Sequence, residues 1–222
     1  MKTRTSIVVM FLLSAFIFAG HGKAEAKGFT GVIVYNITYG DDLDAQTASM
    51  MPKTMKLYIK GSKTRMEMSM GMGTNITVFD AEKKDGFVLI DMMGQKMAMK
   101  MTTGDIENKS KDVPDVDVTV TDETKDIAGY TCKKAIVKPK DGSDEYTVYY
   151  TDELGDGMLN WDNPMYKDID GVMLEFSSAE KQMNMKFTAV KVEKKKISDK
   201  DFEIPEEYKV MSMDEFKSMY GG

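Results

Sequence analysis

Side chains alternate in character along most of this chain. From Gly28 to Tyr39, Phe29, Gly31, Ile33, Tyr35, Ile37 and Tyr39 fall on one side and Thr30, Val32, Val34, Asn36 and Thr38 on the other. A period of two in β-branched and aromatic residues predicts a strand, because successive side chains of an extended backbone point to opposite faces. Thr54–Lys60 alternates in the same way, and Gly61-Ser62 turns the chain into Lys63–Met72. Asn75–Asp80, Phe87–Met92, Gln95–Met101, Val116–Thr121, Tyr130–Lys138, Glu145–Thr151, Val172–Ser177 and Met183–Glu193 extend the series. Strands this short and this closely spaced, joined by Gly- and Asp-rich turns, predict a continuous antiparallel sheet, curled or closed.

Four stretches depart from this pattern. Asp41–Ser49 fits a short helix ahead of Pro52. Thr102–Pro114 and Asp152–Asp170 are polar or broken by Gly155, Gly157 and Pro164, and are expected to be long connections. Near the end, Ser212-Met213-Asp214-Glu215 has the form of a capping box, so a short helix should begin there.

The methionines sharpen the picture. Met66, Met68 and Met70 occupy every second position of one predicted strand, and Met97, Met99 and Met101 do so on another; Met185 leads into Phe187. On a strand each set must project from a single face. Val, Ile and Phe are the usual residues of a sheet core, whereas Met is unbranched and adaptable. Three readings are open. The residues fill an ordinary core, line a groove for an apolar chain, or offer thioether sulfurs to Cu(I) or Ag(I). For the groove, the expected lining is Met66, Met68, Met70, Met97, Met99 and Met101, with Phe87, Leu89 and Met185 beside them.

The start of the chain reads as an export signal. Lys2 and Arg4 precede the uncharged run Ile7–Ala19, and Ala24-Glu25-Ala26 gives the small-x-small pattern of a cleavage site. Residues 1–26 are therefore expected to be removed, leaving 27–222 as a single β-rich domain in the periplasm or outside the cell. No cysteine stands in the leading segment, so a lipid-modified terminus is not expected. No later run is apolar and long enough to span a bilayer.

Charge and composition then remove classes of function. Beyond Ala26 there are 27 basic and 35 acidic side chains, a net of −8. That balance disfavours nucleic acid, and Lys194-Lys195-Lys196 is the only basic run. The single histidine, His21, lies in the leading segment, so no Ser-His-Asp triad or ordinary zinc site can be assembled after it. Asp168-Ile169-Asp170-Gly171 resembles a calcium loop, but Tyr166 and Ser177 stand where its first and last ligands belong. Cys132, the only cysteine, reads as a small buried residue. Asp162, beside Trp161, is the one carboxylate in an aromatic setting, and a surface loop is expected to carry it. These observations predict a protein that is not an enzyme and has no cofactor.

Several segments together resemble a known family. They are Ile127-Ala128-Gly129-Tyr130-Thr131-Cys132-Lys133-Lys134, Tyr149-Tyr150-Thr151-Asp152-Glu153-Leu154, Asp170-Gly171-Val172-Met173-Leu174-Glu175 and Asp201-Phe202-Glu203-Ile204-Pro205-Glu206-Glu207-Tyr208. They are similar to an exported bacterial domain of unknown function, itself similar to the periplasmic lipoprotein-carrier (LolA-like) superfamily. Glu207 departs from that pattern, in which Gly precedes the Tyr. The resemblance implies a mainly β fold, an unclosed antiparallel half-barrel with short helices or loops over its concave side. In the carriers that side holds acyl chains, which makes an apolar ligand or a lipoprotein acyl chain the implied partner here. The resemblance carries over no functional residues.

Overall fold

The computed structural model describes residues 28–40, 45–71, 73–92, 94–111, 113–180 and 183–220. The expected signal, Met1–Ala26, lies outside them. Twelve strands form one sheet. In chain order they are β1 (Thr30–Tyr39), β2 (Thr54–Lys60), β3 (Lys63–Met70), β4 (Gly73–Asp80), β5 (Asp85–Met92), β6 (Gln95–Met101), β7 (Val116–Ile127), β8 (Tyr130–Pro139), β9 (Tyr146–Thr151), β10 (Val172–Glu180), β11 (Met183–Lys194) and β12 (Lys209–Ser212). Among the described residues three α-helices accompany them: α1 (Ala45–Met50), α2 (Thr103–Ser110) and α3 (Met213–Tyr220). No described helix is long and apolar enough to cross a membrane.

The spatial order is β12-β6-β5-β4-β3-β2-β1-β11-β10-β9-β8-β7. The chain thus lays down one meander from β1 to β6 and crosses to the far edge. It then returns through a second meander from β7 to β11, which closes on the free side of β1. Among the described residues β7 and β12 do not pair, so the sheet is an unclosed half-barrel, as the motifs imply. Ladder shifts at Val34/Tyr35, Met173/Glu175 and Val120/Thr124 insert extra residues on one strand of each pair. Such bulges bend a strand and increase its twist, and they curl a sheet that would otherwise lie open.

The elements differ from the expected ones in three places. Thr102–Pro114 is not a loop throughout. Thr102 accepts from the Asp105 amide and Asp105 returns a bond to Thr102, a capping box that starts α2. The strand expected to end at Thr121 continues to Ile127 through Asp122-Glu123-Thr124-Lys125-Asp126, because an edge strand can keep such side chains in water. And the sheet is not wholly antiparallel: β12 runs parallel to β6, from Lys209 opposite Met97 to Ser212 opposite Lys100. The expected cap of α3 is present, with Ser212 Oγ accepting from Glu215 N at 3.2 Å and Glu215 Oε2 accepting from Ser212 N at 2.7 Å.

Register decides which side chains share a face. Ile33, Leu57, Met66, Thr77, Val88, Met99 and Met211 form one continuous row across β1 to β6 and β12. Tyr35, Met55, Met68, Asn75, Ile90 and Met97 form a neighbouring row on the same face. The alternate residues Val32, Tyr58, Val78, Phe87 and, one row along, Ile76, Leu89 and Ala98 stand on the outer face. The chain after β11 folds back over that outer face. Ile197 and Phe202 are buried there with Ile76, Val78, Leu89 and Ala98, while Phe87, Ile204 and Tyr208 pack around them. Arg65 pins this strap by donating to the Asp201 carbonyl at 2.8 Å and to Glu67 Oε1 at 2.8 Å.

Candidate functional site

The methionine face is covered by three separate segments, and a cavity of about 620 Å³ lies beneath them. Met51 and Pro52 approach from the end of α1, Ile106 and Ser110 from α2 with Val113 just after it, and Leu159, Asp162 and Met165 from the connection after β9. The volume lies within the range of small-molecule pockets, roughly 300–1,000 Å³. Phe176 and Phe187 stack in its wall with ring centroids 4.8 Å apart and planes 9° from parallel. Tyr35, wholly buried, meets Phe176 edge-on and donates its hydroxyl to the Met173 carbonyl at 2.8 Å. Burial raises the Tyr35 pKa far above its ordinary value, with a smaller contribution from Cys132, so this phenol stays a neutral donor.

The wall contains Met66, Met68 and Met70 of β3, Met101 of β6 and Met185 of β11. Met55, Met165 and Met173 join them. Met55 lies directly across the ladder from Met68, and Met185 from Ser178, which also lines the cavity. Met97 and Met99 share this face but do not border the cavity. Met99 is buried next to Met211, because β12 extends the sheet beyond β6 and fills the space there. Phe87 and Leu89 stand on the opposite face, under the strap. The run Phe87-Val88-Leu89-Ile90 is apolar at every position, so it carries no alternation from which a face could be read.

The contribution of the Asp152–Asp170 connection was invisible to periodicity, because it is positioned by tertiary bonds. Asn160 is buried, and its amide donates to the Ile169 carbonyl at 2.8 Å and the Gly171 carbonyl at 2.9 Å. Asn163 Oδ1 accepts from the Met165 amide at 3.2 Å. These bonds fold the segment across the sheet with Leu159, Asp162 and Met165 facing the cavity. Trp161 meets Phe79 edge-on at 5.9 Å, and Phe79 is itself part of the wall. Asp162 is therefore not on a simple surface loop. Burial pushes its carboxyl up to about 6, opposed only by a bond from its own backbone.

The comparisons with known proteins bear on family and fold. A model of the Domain of unknown function (DUF4412) matches residues 29–208. The chain belongs to that family. All four motif segments, from Ile127 to Tyr208, fall within that span. Among curated proteins none matches the sequence. The solved structure of PNGF-II superposes with a TM-score of 0.54 at 16% identity, over 86% of this chain and 33% of that one. This chain thus spans about a third of PNGF-II, and the likeness is one of fold. The structure of LprF from Mycobacterium bovis gives a TM-score of 0.34 at 10% identity, over 79% of this chain and 90% of that one.

The DUF4412 motifs have structural explanations. Ile127 pairs with Tyr130, so Ala128-Gly129 is a two-residue hairpin turn with φ of 50° and 90°. Both central residues of such a turn take positive φ, which favours Gly at the second position and strains Ala at the first. Cys132 is fully buried beyond that turn, and burial, with the Asp126, Glu153 and Glu175 carboxylates nearby, pushes its thiol up to about 11. A thiol in that state is not a nucleophile at neutral pH. Phe202 of the last motif supplies the strap's buried anchor on the outer face.

Proposed function

We propose that this DUF4412 protein is a non-enzymatic binding protein of the bacterial envelope that holds an apolar chain, a lipid or lipoprotein acyl chain, in its methionine-lined cavity. The observation that carries the reading is the space itself. A curled sheet of this size with an ordinary core would close its inner face against the covering segments, yet about 620 Å³ is left between them. Its wall is mostly aliphatic, aromatic and thioether, and thioether side chains rearrange at little cost around a flexible guest. Burying an acyl chain stabilises the complex by ~0.8 kcal/mol per methylene before the cost of association. The envelope location rests on the leading segment with its positive start, apolar run and Ala24-Glu25-Ala26.

The arrangement favours this ligand over Cu(I) or Ag(I). Alternate residues of one strand are separated by roughly 7 Å along its axis, so Met66, Met68 and Met70 string their sulfurs along a wall rather than converging on a point. Native mass spectrometry checks the proposal. The purified, delipidated protein is expected to take up one equivalent of a monoacylglycerol and to leave Cu(I) with a competing chelator. A clean unliganded mass at saturating monoacylglycerol, before and after delipidation, would sink it.

A further inference from the structure

Asp162 is the one charged residue among the described residues that line the cavity. Among the described residues no lysine or arginine borders it. Of the two asparagines beside Asp162, Asn160 donates its amide to the Ile169 and Gly171 carbonyls, and Asn163 accepts through Oδ1 from the Met165 amide. The Asp162 carboxylate receives a bond only from its own backbone, and no neighbouring charge acts on it. Burial holds its carboxyl near 6, so at neutral pH it is mostly ionised, partly desolvated and unpaired. A carboxylate in that position attracts a cation strongly, because the surrounding dielectric is low and no protein cation competes. An acid or phosphate head would meet like charge, with no described lysine or arginine in the wall to offset it.

We propose that the cavity selects amphiphiles whose apolar chain ends in a protonated amine, that it discriminates against acids, and that Asp162 is the carboxylate that anchors the amine. The inference rests on the cavity being a site for apolar chains, and it adds which head group is accepted. The polar end of the guest would lie against the connection after β9, its chain running along Met66, Met68 and Phe187 toward Met185.

Trp161, the only tryptophan of the chain, adjoins Asp162 and touches the wall through Phe79, so its fluorescence reports occupancy. Titrations at pH 7.5 with dodecylamine, 1-dodecanol and dodecanoate, each below its micelle concentration, test the proposal. Dodecylamine is expected to bind about 10-fold more tightly than dodecanol, and dodecanol about 10-fold more tightly than dodecanoate. Asp162→Asn should bring the three within about threefold of one another. Dodecanoate binding as tightly as dodecylamine to the native protein would overturn the inference without any variant, and so would an amine preference that survives Asp162→Asn. If dodecanol binds without an amine preference, only the head-group inference falls. If none of the three binds, the apolar-chain reading falls with it.

Discussion

The two faces of the β2–β6 sheet are built from alternate residues of the same strands and end in opposite states. On the outer face Ile76, Val78, Leu89 and Ala98 are closed over by Ile197 and Phe202. On the inner face Met66, Met68, Thr77 and Met101 look into open space under three segments from distant parts of the chain. The difference follows from side-chain type and from the cover. Branched and aromatic groups with few rotamers interlock with a single continuous strap, whereas unbranched thioethers under a discontinuous roof leave room. A filled face contributes stability, and an unfilled one keeps a site open at stability's expense.

Substitutions at matched positions can break this contrast. Leu89→Ala on the outer face should cost about 3 kcal/mol in urea denaturation, since the side chain is 1% exposed and leaves a cavity behind. Met66→Ala on the inner face should cost about 1 kcal/mol, because that side chain already borders a void. Equal losses would mean that the inner face is packed as tightly as the outer one. Overfilling sharpens the same point. Ala98→Leu should cost about 2 kcal/mol under the strap, while Thr77→Leu should change stability by less than about 0.5 kcal/mol and reduce monoacylglycerol uptake.

A further expected effect is electrostatic. The Asp162 carboxyl has a folded pKa of about 6, above the ordinary carboxylate value, so the folded state binds its proton more tightly than the unfolded chain. Its contribution therefore turns unfavourable as pH rises through the interval up to about 6. Asp162→Asn should stabilise the ligand-free protein by about 1 kcal/mol at pH 7.5 and by almost nothing below about pH 4. Melting temperatures at the two pH values check this; a gain of the same size at both would remove the electrostatic cause.

The sheet was legible where alternation was clean. Met66, Met68 and Met70 face polar alternates, so their common side could be assigned from the sequence. Phe87 and Leu89 could not be placed, since both sides of their strand are apolar. Helix α2 has one buried apolar residue, Ile106, and no helical period, so only the Thr102–Asp105 spacing announces it. Strand β12 has four residues and forms because β6 offers an unpaired edge, which is a tertiary fact. The site was half-visible for the same reason. Its β3 wall obeys a local rule, but Leu159, Asp162 and Met165 reach it through the bonds of Asn160 and Asn163, which no periodicity encodes.

The short parallel strand at the end of the sheet has a consequence for self-association. An unclosed sheet has two exposed rims of unpaired amides and carbonyls, each a template for another molecule's backbone. At one rim β7 defends itself with Asp117, Asp122, Glu123 and a distorted ladder. At the other, Lys209–Ser212 occupies the hydrogen-bonding sites of β6, and α3 follows directly behind it. The tail of the chain thus acts as a stopper, and a protein cut after Tyr208 would offer β6 to its neighbours and gather into oligomers edge to edge.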